Sequence, residues 1–192
     1  MSPNPSPDVV ALCGSRRDGS VTRIALRTAL DAAADRGATT TLVDLDDYEL
    51  PPLDPDRPDA GDAPELRRVV DAADAVVLGT PNYHGSYSGV LKNALDYLGR
   101  DEFEGTTVGL LEVAGGSYPT PPLEHLRQVC RTLNAWTLPH QVAIPNSSSA
   151  TEGGRLTDRA LVSRIEELGE MCVEYAGVDA FPDAAPEAAA GD

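Results

Sequence analysis

Three short stretches of this chain hold residue types from which a binding site can be built. Gly14–Arg23 reads GSRRDGSVTR. It follows an apolar run and opens an amphipathic segment, so it places a helix N-terminus, with free N–H donors and the positive end of the dipole, beside a loop. Ser15, Ser20 and Thr22 add hydroxyls, and Arg17 or Arg16 adds positive charge. That combination suits a phosphate, although Ser20 taken alone is equally a helix cap. Pro81–Ser88 reads PNYHGSYS. Pro81, Asn82, Tyr83, His84, Gly85 and Ser86 offer backbone donors and acceptors at a sharp bend, an aromatic face and an imidazole, a set suited to gripping a flat heterocycle. In the third stretch, Gly115 and Gly116 allow a backbone to approach the same ring closely.

A phosphate cradle joined to two ring-gripping loops predicts a phosphorylated aromatic cofactor such as FMN. Other phosphate motifs are absent. Gly14 and Gly19 have P-loop spacing, but no lysine follows. No G-x-G-x-x-G occurs, so the dinucleotide fingerprint is missing. A Cys-x5-Arg loop beginning at Cys13 would need arginine where Gly19 stands, which disfavours a nucleophilic thiol. The Pro81–Ser86 loop has no carboxylate and no Ser–His–Asp constellation, and the absence of C-x-x-C argues against a zinc site.

Five apolar or β-branched runs are read as strands: 9–13, 39–45, 75–79, 106–113 and 137–144. Between and after them, helical periodicity predicts helices over about 20–36, 64–73, 89–98, 123–133 and 159–175. Arg36 is placed in a last helical turn with Gly37 just past it. Residues 46–63, with four prolines, read as a surface excursion, and 145–158 as a polar loop. The alternation predicts an α/β fold, a three-layer sandwich on a five-stranded parallel sheet, for which two strand orders are common; the flavodoxin-like order 2-1-3-4-5 is the expected one, and it sets strands one and three side by side. In that order the loops after strands one, three and four converge on one crevice. The expected organisation is a loose arm over 1–7, one domain over 8–177, and a disordered acidic tail over 178–192.

Net charge is −16, which argues against nucleic acid as a partner. Fourteen arginines stand beside a single lysine, Lys92, against 31 acids, a balance read as adaptation to a salty, halophilic cytoplasm where self-repulsion is screened. No transmembrane run or signal peptide is recognised, so a cytoplasmic protein without a membrane partner is expected. Cys13, Cys130 and Cys172 are scattered and are read as reduced, buried thiols. Lys92 and Asp96 are spaced to pair on a helix, His125 and His140 are read as surface or satisfied histidines, and Ser147–Ser149 as loop.

The motifs GSRRDGSVT at Gly14–Thr22 and PNYHGSYSGVLKNALDYL at Pro81–Leu98, with Gly115-Gly116 and GRLTD at Gly154–Asp158, resemble the NADPH-dependent FMN reductase family of flavodoxin-like proteins. The likeness covers roughly residues 8–176. It implies that Ser15, Arg17, Ser20 and Thr22 hold the FMN phosphate. Pro81, Asn82, Tyr83, His84, Gly85 and Ser86 would hold the isoalloxazine and ribityl, and Gly115 and Gly116 would touch the ring. Thr22 stands where many relatives have asparagine, and Asn82 where many have glutamate. The resemblance also implies NADPH or NADH as donor, a small-molecule electron acceptor (quinone, azo compound, metal ion or free flavin) and a homodimer or homotetramer. Tyr83, Tyr87 and Tyr97 are the aromatic candidates for a subunit contact. Two other functions fit the same sequence: a flavodoxin-type electron carrier without NAD(P)H activity, whose acidic surface docks basic partners, and an interaction module that has lost the cofactor.

Overall fold

The apolar runs become the strands of one parallel sheet. In the computed structural model, which describes residues 6–117 and 120–176, β1 (Asp8–Cys13), β2 (Thr39–Asp44), β3 (Ala75–Pro81), β4 (Thr107–Val113) and β5 (Trp136–Ile144) are ordered β2-β1-β3-β4-β5. Every pairing is parallel. β3 and β4 are buried along their whole length, as strands covered on both faces must be. The edge strands β2 and β5 mix buried and open residues. Pro139 is tolerated because β5 is an edge strand, and its register against β4 shifts between Val108 and Leu110.

Among the described residues six helices cover the sheet: α1 (Val21–Asp35), α2 (Ala63–Asp71), α3 (Gly89–Asp96), α4 (Arg100–Phe103), α5 (Pro121–Thr132) and α6 (Arg159–Glu174). One face carries α1 and α6 over a core that includes Val9, Ala11, Val77, Leu111, Ile165 and Leu168. The other carries α2 to α5 over Leu12, Leu66, Leu78, Leu91, Phe103 and Leu126. The α1–α6 contact is set by small residues. A Cβ on Gly169 would lie 2.0 Å from the Ala29 carbonyl oxygen, so only glycine permits this approach.

Local differences from the sequence expectation have simple causes. Arg36 is not in the last turn of α1 but is its C-cap. Gly37 follows at φ 90°, and the bonds from Gly37 N–H to Ala34 and from Ala38 N–H to Ala33 form a Schellman ending. The short α4 is an additional helix, a single turn too brief for periodicity to reveal; Glu102 Oε2 accepts the Gly99 N–H at 2.6 Å. Within the expected polar loop, β6 (Thr151–Glu152) and β7 (Arg155–Leu156) form a hairpin. It turns on Gly153 and Gly154, both at positive φ, as a tight hairpin turn requires.

The excursion after β2 contains no helix or strand before α2, yet it is pinned. Asn93 Nδ2 donates to the carbonyls of Leu50 and Pro51, both at 3.0 Å, and its Oδ1 accepts from Leu53 N–H at 3.1 Å. Tyr97 donates its hydroxyl to Pro51 O at 2.9 Å and is buried in this way within its own subunit. That corrects its expected place in a subunit contact. Residues 1–5 of the expected arm, and the acidic tail, lie outside the described residues.

Candidate functional site

β1 and β3 are neighbours, so the chain changes direction across the sheet between them, and the loops that leave their carboxyl ends open onto one crevice. Gly14 makes the junction. Its N–H donates to Gly79 O at 2.8 Å, and a Cβ there would meet Leu91 Cβ at 2.8 Å and Ser88 Oγ at 2.9 Å. Ser88 ties the two loops together. Its hydroxyl donates to Gly14 O at 2.7 Å and accepts the Leu91 N–H at 3.1 Å, capping α3, while its own N–H donates to Thr80 Oγ1 at 2.9 Å. Thr80 and Ser88 are fully enclosed.

The first loop is shaped from behind by Arg23. Its guanidinium pairs with Asp44 at the end of β2 and donates to the carbonyls of Arg17 (3.2 Å) and Ser15 (3.4 Å). Because the C=O and N–H of a trans peptide point in opposite directions, the amides of Arg16 and Asp18 face away from Arg23. Ser20 caps α1, accepting the Arg23 N–H at 3.2 Å. The two flanking arginines differ. Arg16 is spent on Asp46 at 2.6 Å, whereas the Arg17 guanidinium makes no ion pair or hydrogen bond among the described residues and lines the crevice.

The crevice encloses about 400 Å³, within the usual range for small-molecule sites. Of the sequence candidates, Ser15, Arg17, Ser20, Thr22, Pro81, Asn82, Tyr83 and Gly115 line it. Ser15, Ser20 and Thr22 are buried, and Tyr83 is 55% exposed. His84, Gly85, Ser86 and Gly116 belong to the same loops but are not part of its wall. The second loop closes on itself through Tyr83 N–H to Ser86 O (2.9 Å) and Ser86 N–H to Tyr83 O (3.1 Å), with His84 and Gly85 at φ 55° and 79°.

Beyond the candidates, Asp18, Gly19, Val21 and Val113 line the crevice from the same loops and strand ends, and Ser147, Ser148 and Thr151 line it from a segment expected only as a polar loop. They reach the crevice because Ser147 N–H bonds Ala114 O and Asn146 N–H bonds Gly116 O, each at 3.0 Å, which binds the segment to the third loop. Their signal was faint, a run of small hydroxyls just after a predicted strand. His125 lies at the surface and is satisfied, as the sequence reading expects. Its Nδ1 lies 3.1 Å from Ser86 Oγ, and its ring stands edge-on to Tyr87. His140 is satisfied elsewhere, 2.9 Å from Arg164 O. Lys92 pairs with Asp96.

The site offers anion chemistry at one end and hydrogen bonding along the rest. Arg17 is the cation and Asp18 the anion of its wall, so side-chain charge roughly cancels there. Amides, hydroxyls and the α1 N-terminus then carry the attraction for a phosphate. No nucleophile is poised in it. Cys13, at the end of β1, is buried, and that burial pushes its thiol up; Cys130 is raised for the same reason, and Cys172 is pushed up to about 12. Among the described residues no cluster of His, Cys, Asp and Glu could hold a metal ion, and no helix is long and apolar enough to cross a membrane.

Residues 7–149 match the NADPH-dependent FMN reductases. The chain belongs to that family. An FMN-dependent NADPH-azoreductase of Staphylococcus aureus is 49% identical over 86 residues, 45% of this chain and 46% of that enzyme, so the chain spans about half the length of the curated relative it matches. Among solved structures, FerB, a flavoenzyme NAD(P)H:(acceptor) oxidoreductase of Paracoccus denitrificans, superposes with a TM-score of 0.72 at 21% identity, covering 88% of this chain and 96% of that one. Two-electron-reduced flavodoxin of Megasphaera elsdenii gives 0.61 at 18%, covering 86% and 98%. At these identities the likeness is one of fold, and both kinds of protein share it.

Proposed function

We propose that this chain is an FMN-dependent NAD(P)H oxidoreductase that passes a hydride from NADPH or NADH, by way of bound FMN, to a small electron acceptor such as a quinone, an azo compound, a metal ion or free flavin. The match over residues 7–149 carries the reading, because it spans all three crevice loops. The crevice fits the cofactor. Its buried hydroxyls and the α1 N-terminus suit the phosphate, and the open backbone at Gly115, where an added Cβ would meet nothing within 4 Å, suits close approach of a ring. FMN, when bound, would supply the hydride chemistry itself.

The protein's own share is binding and orientation. Ser15, Arg17, Ser20 and Thr22 hold the phosphate end. Pro81, Asn82, Tyr83, His84, Gly85 and Ser86 present the second loop's polar backbone to the ring, with Gly115 and Gly116 opposite. Ser147, Ser148 and Thr151 close the remaining wall. Exposed Tyr83 supports a homo-oligomer in which a second subunit covers the open side. The acidic, arginine-biased composition supports a salty cytoplasm as its setting.

The test is the visible spectrum of the protein purified in molar salt, followed by anaerobic NADPH. Flavin bands that NADPH bleaches are expected. Bands that dithionite bleaches but NADPH does not would assign the electron-carrier role, for which the net charge of −16 provides a docking surface. A protein that stays colourless with added FMN would overturn both.

A further inference from the structure

Glu112 stands near the carboxyl end of β4, an interior strand, with 0% exposure, registered against Thr80 of β3 and Ala143 of β5. Its Oε1 accepts from Asn82 Nδ2 at 3.4 Å, and its Oε2 has no hydrogen-bond partner among the described residues. Among the described residues no cation pairs with it. Arg127 of α5 is turned toward Gln141 and the carbonyls of Leu138 and Pro139, and His125 toward Ser86. Burial pushes the carboxyl above the ordinary glutamate range, and the Asn82 amide and the Leu123 backbone bring it only part of the way back. A buried acid with a single side-chain partner is costly to keep, so that partner is informative.

Asn82 lines the crevice. Its Oδ1 accepts the Gly85 N–H at 3.0 Å, which leaves Nδ2 as the end of the amide that faces Glu112. A continuous relay therefore runs from Gly85 N–H through the Asn82 amide to the Glu112 carboxyl. The turn it braces contains His84 at φ 55°, a conformation that a side chain bearing Cβ adopts only when its surroundings impose it.

We propose that Glu112 is a positioning residue for the second cofactor loop: it orients the Asn82 amide, and Asn82 holds Gly85 and His84 in the turn beside the flavin site. The inference rests on the FMN reading above, and it concerns a residue that itself lies outside the crevice wall.

The experiment compares Glu112→Leu, Glu112→Gln, Asn82→Ala and the double variant Asn82→Ala/Glu112→Leu. Each full-length protein is assayed for FMN affinity by quenching of flavin fluorescence, for the band shape of bound FMN, and for the unfolding midpoint of the cofactor-free form. Leucine removes an uncompensated polar group, so the cofactor-free midpoint should hold or rise, while FMN affinity falls about tenfold and the bound spectrum shifts. Glutamine keeps an acceptor toward Asn82 and should stay within about twofold of wild type. The double variant should bind no more weakly than either single variant, because both break one relay.

Wild-type affinity in a folded Glu112→Leu protein would overturn the proposal. So would a midpoint that falls in step with affinity, which marks a merely structural residue, or a tenfold loss in Glu112→Gln. Should the leucine variant not fold, Glu112→Met takes its place, alone and with Asn82→Ala: indifference of the Asn82→Ala protein to the second change supports the relay, and additive losses refute it. Failure of the wild type to bind FMN is visible before any variant is made and would overturn the FMN reading along with this one.

Discussion

The two faces of the sheet are built on different rules. The α1–α6 face is held by close approach of small side chains, with Ala25, Ala29 and Ala33 of α1 fully buried and Gly169 of α6 against the α1 backbone. The α2–α5 face is held by bulky residues such as Phe103, Leu66 and Leu126, and by polar groups that bind loops: buried Thr80, Ser88 and Glu112, and half-buried Asn93. The difference follows what each face supports. α1 delivers a helix terminus to the crevice, and a terminus is placed by where the whole helix sits. The second loop has no such lever and needs individual hydrogen bonds to keep its bend.

The strongest challenge to this contrast is Gly169→Ala. The added methyl collides with backbone, so we expect a stability loss of about 3 kcal/mol, a fall in unfolding midpoint on the order of 10 °C, seen by thermal circular dichroism. An unchanged midpoint would mean that the α1–α6 contact is adjustable and the contrast wrong. Next in size, Arg17→Ala should weaken FMN by roughly 2 kcal/mol, the scale of one charge-assisted bond, with no change in the cofactor-free midpoint. Titration of FMN fluorescence reads the first and calorimetry the second.

Ser88→Ala removes a cap and a buried cross-link, and should cost about 1–2 kcal/mol in urea unfolding. Its effect belongs to the polar-pinned face, so FMN affinity should fall with it. The smallest effect is a pH dependence. The Glu112 carboxyl holds its proton more tightly folded than unfolded. Its contribution is therefore complete below the ordinary glutamate range and drains as pH rises through the folded value. Urea unfolding of the cofactor-free protein over about pH 5 to about pH 9 should show wild type losing stability relative to Glu112→Gln. Parallel curves would show that the carboxyl is not held neutral.

Much of this was readable in the residues. The strand runs over 9–13 and 75–79 and the helical stripe after Gly89 announced themselves, because burial on two faces demands continuous apolar sequence and burial on one face demands a period. The α4 turn and the β6–β7 hairpin escaped, being shorter than any period they could express. Glu112 escaped for another reason. Inside TTVGLLEV, one acid in an apolar run does not say whether it faces water, a cation or an amide.

The layered parallel sheet and the three glycine-marked loops follow from the chain alone, since alternating apolar runs and helical stripes leave few ways to bury both. Folding had to supply the rest. It placed Ser147, Ser148 and Thr151 beside Gly115, turned Arg17 toward the crevice while Asp46 took Arg16, enclosed Tyr97 on Pro51, and set Glu112 under Asn82. Each of these pairs joins residues from different segments, and a contact across such a separation is fixed by the packing of whole elements rather than by any local preference.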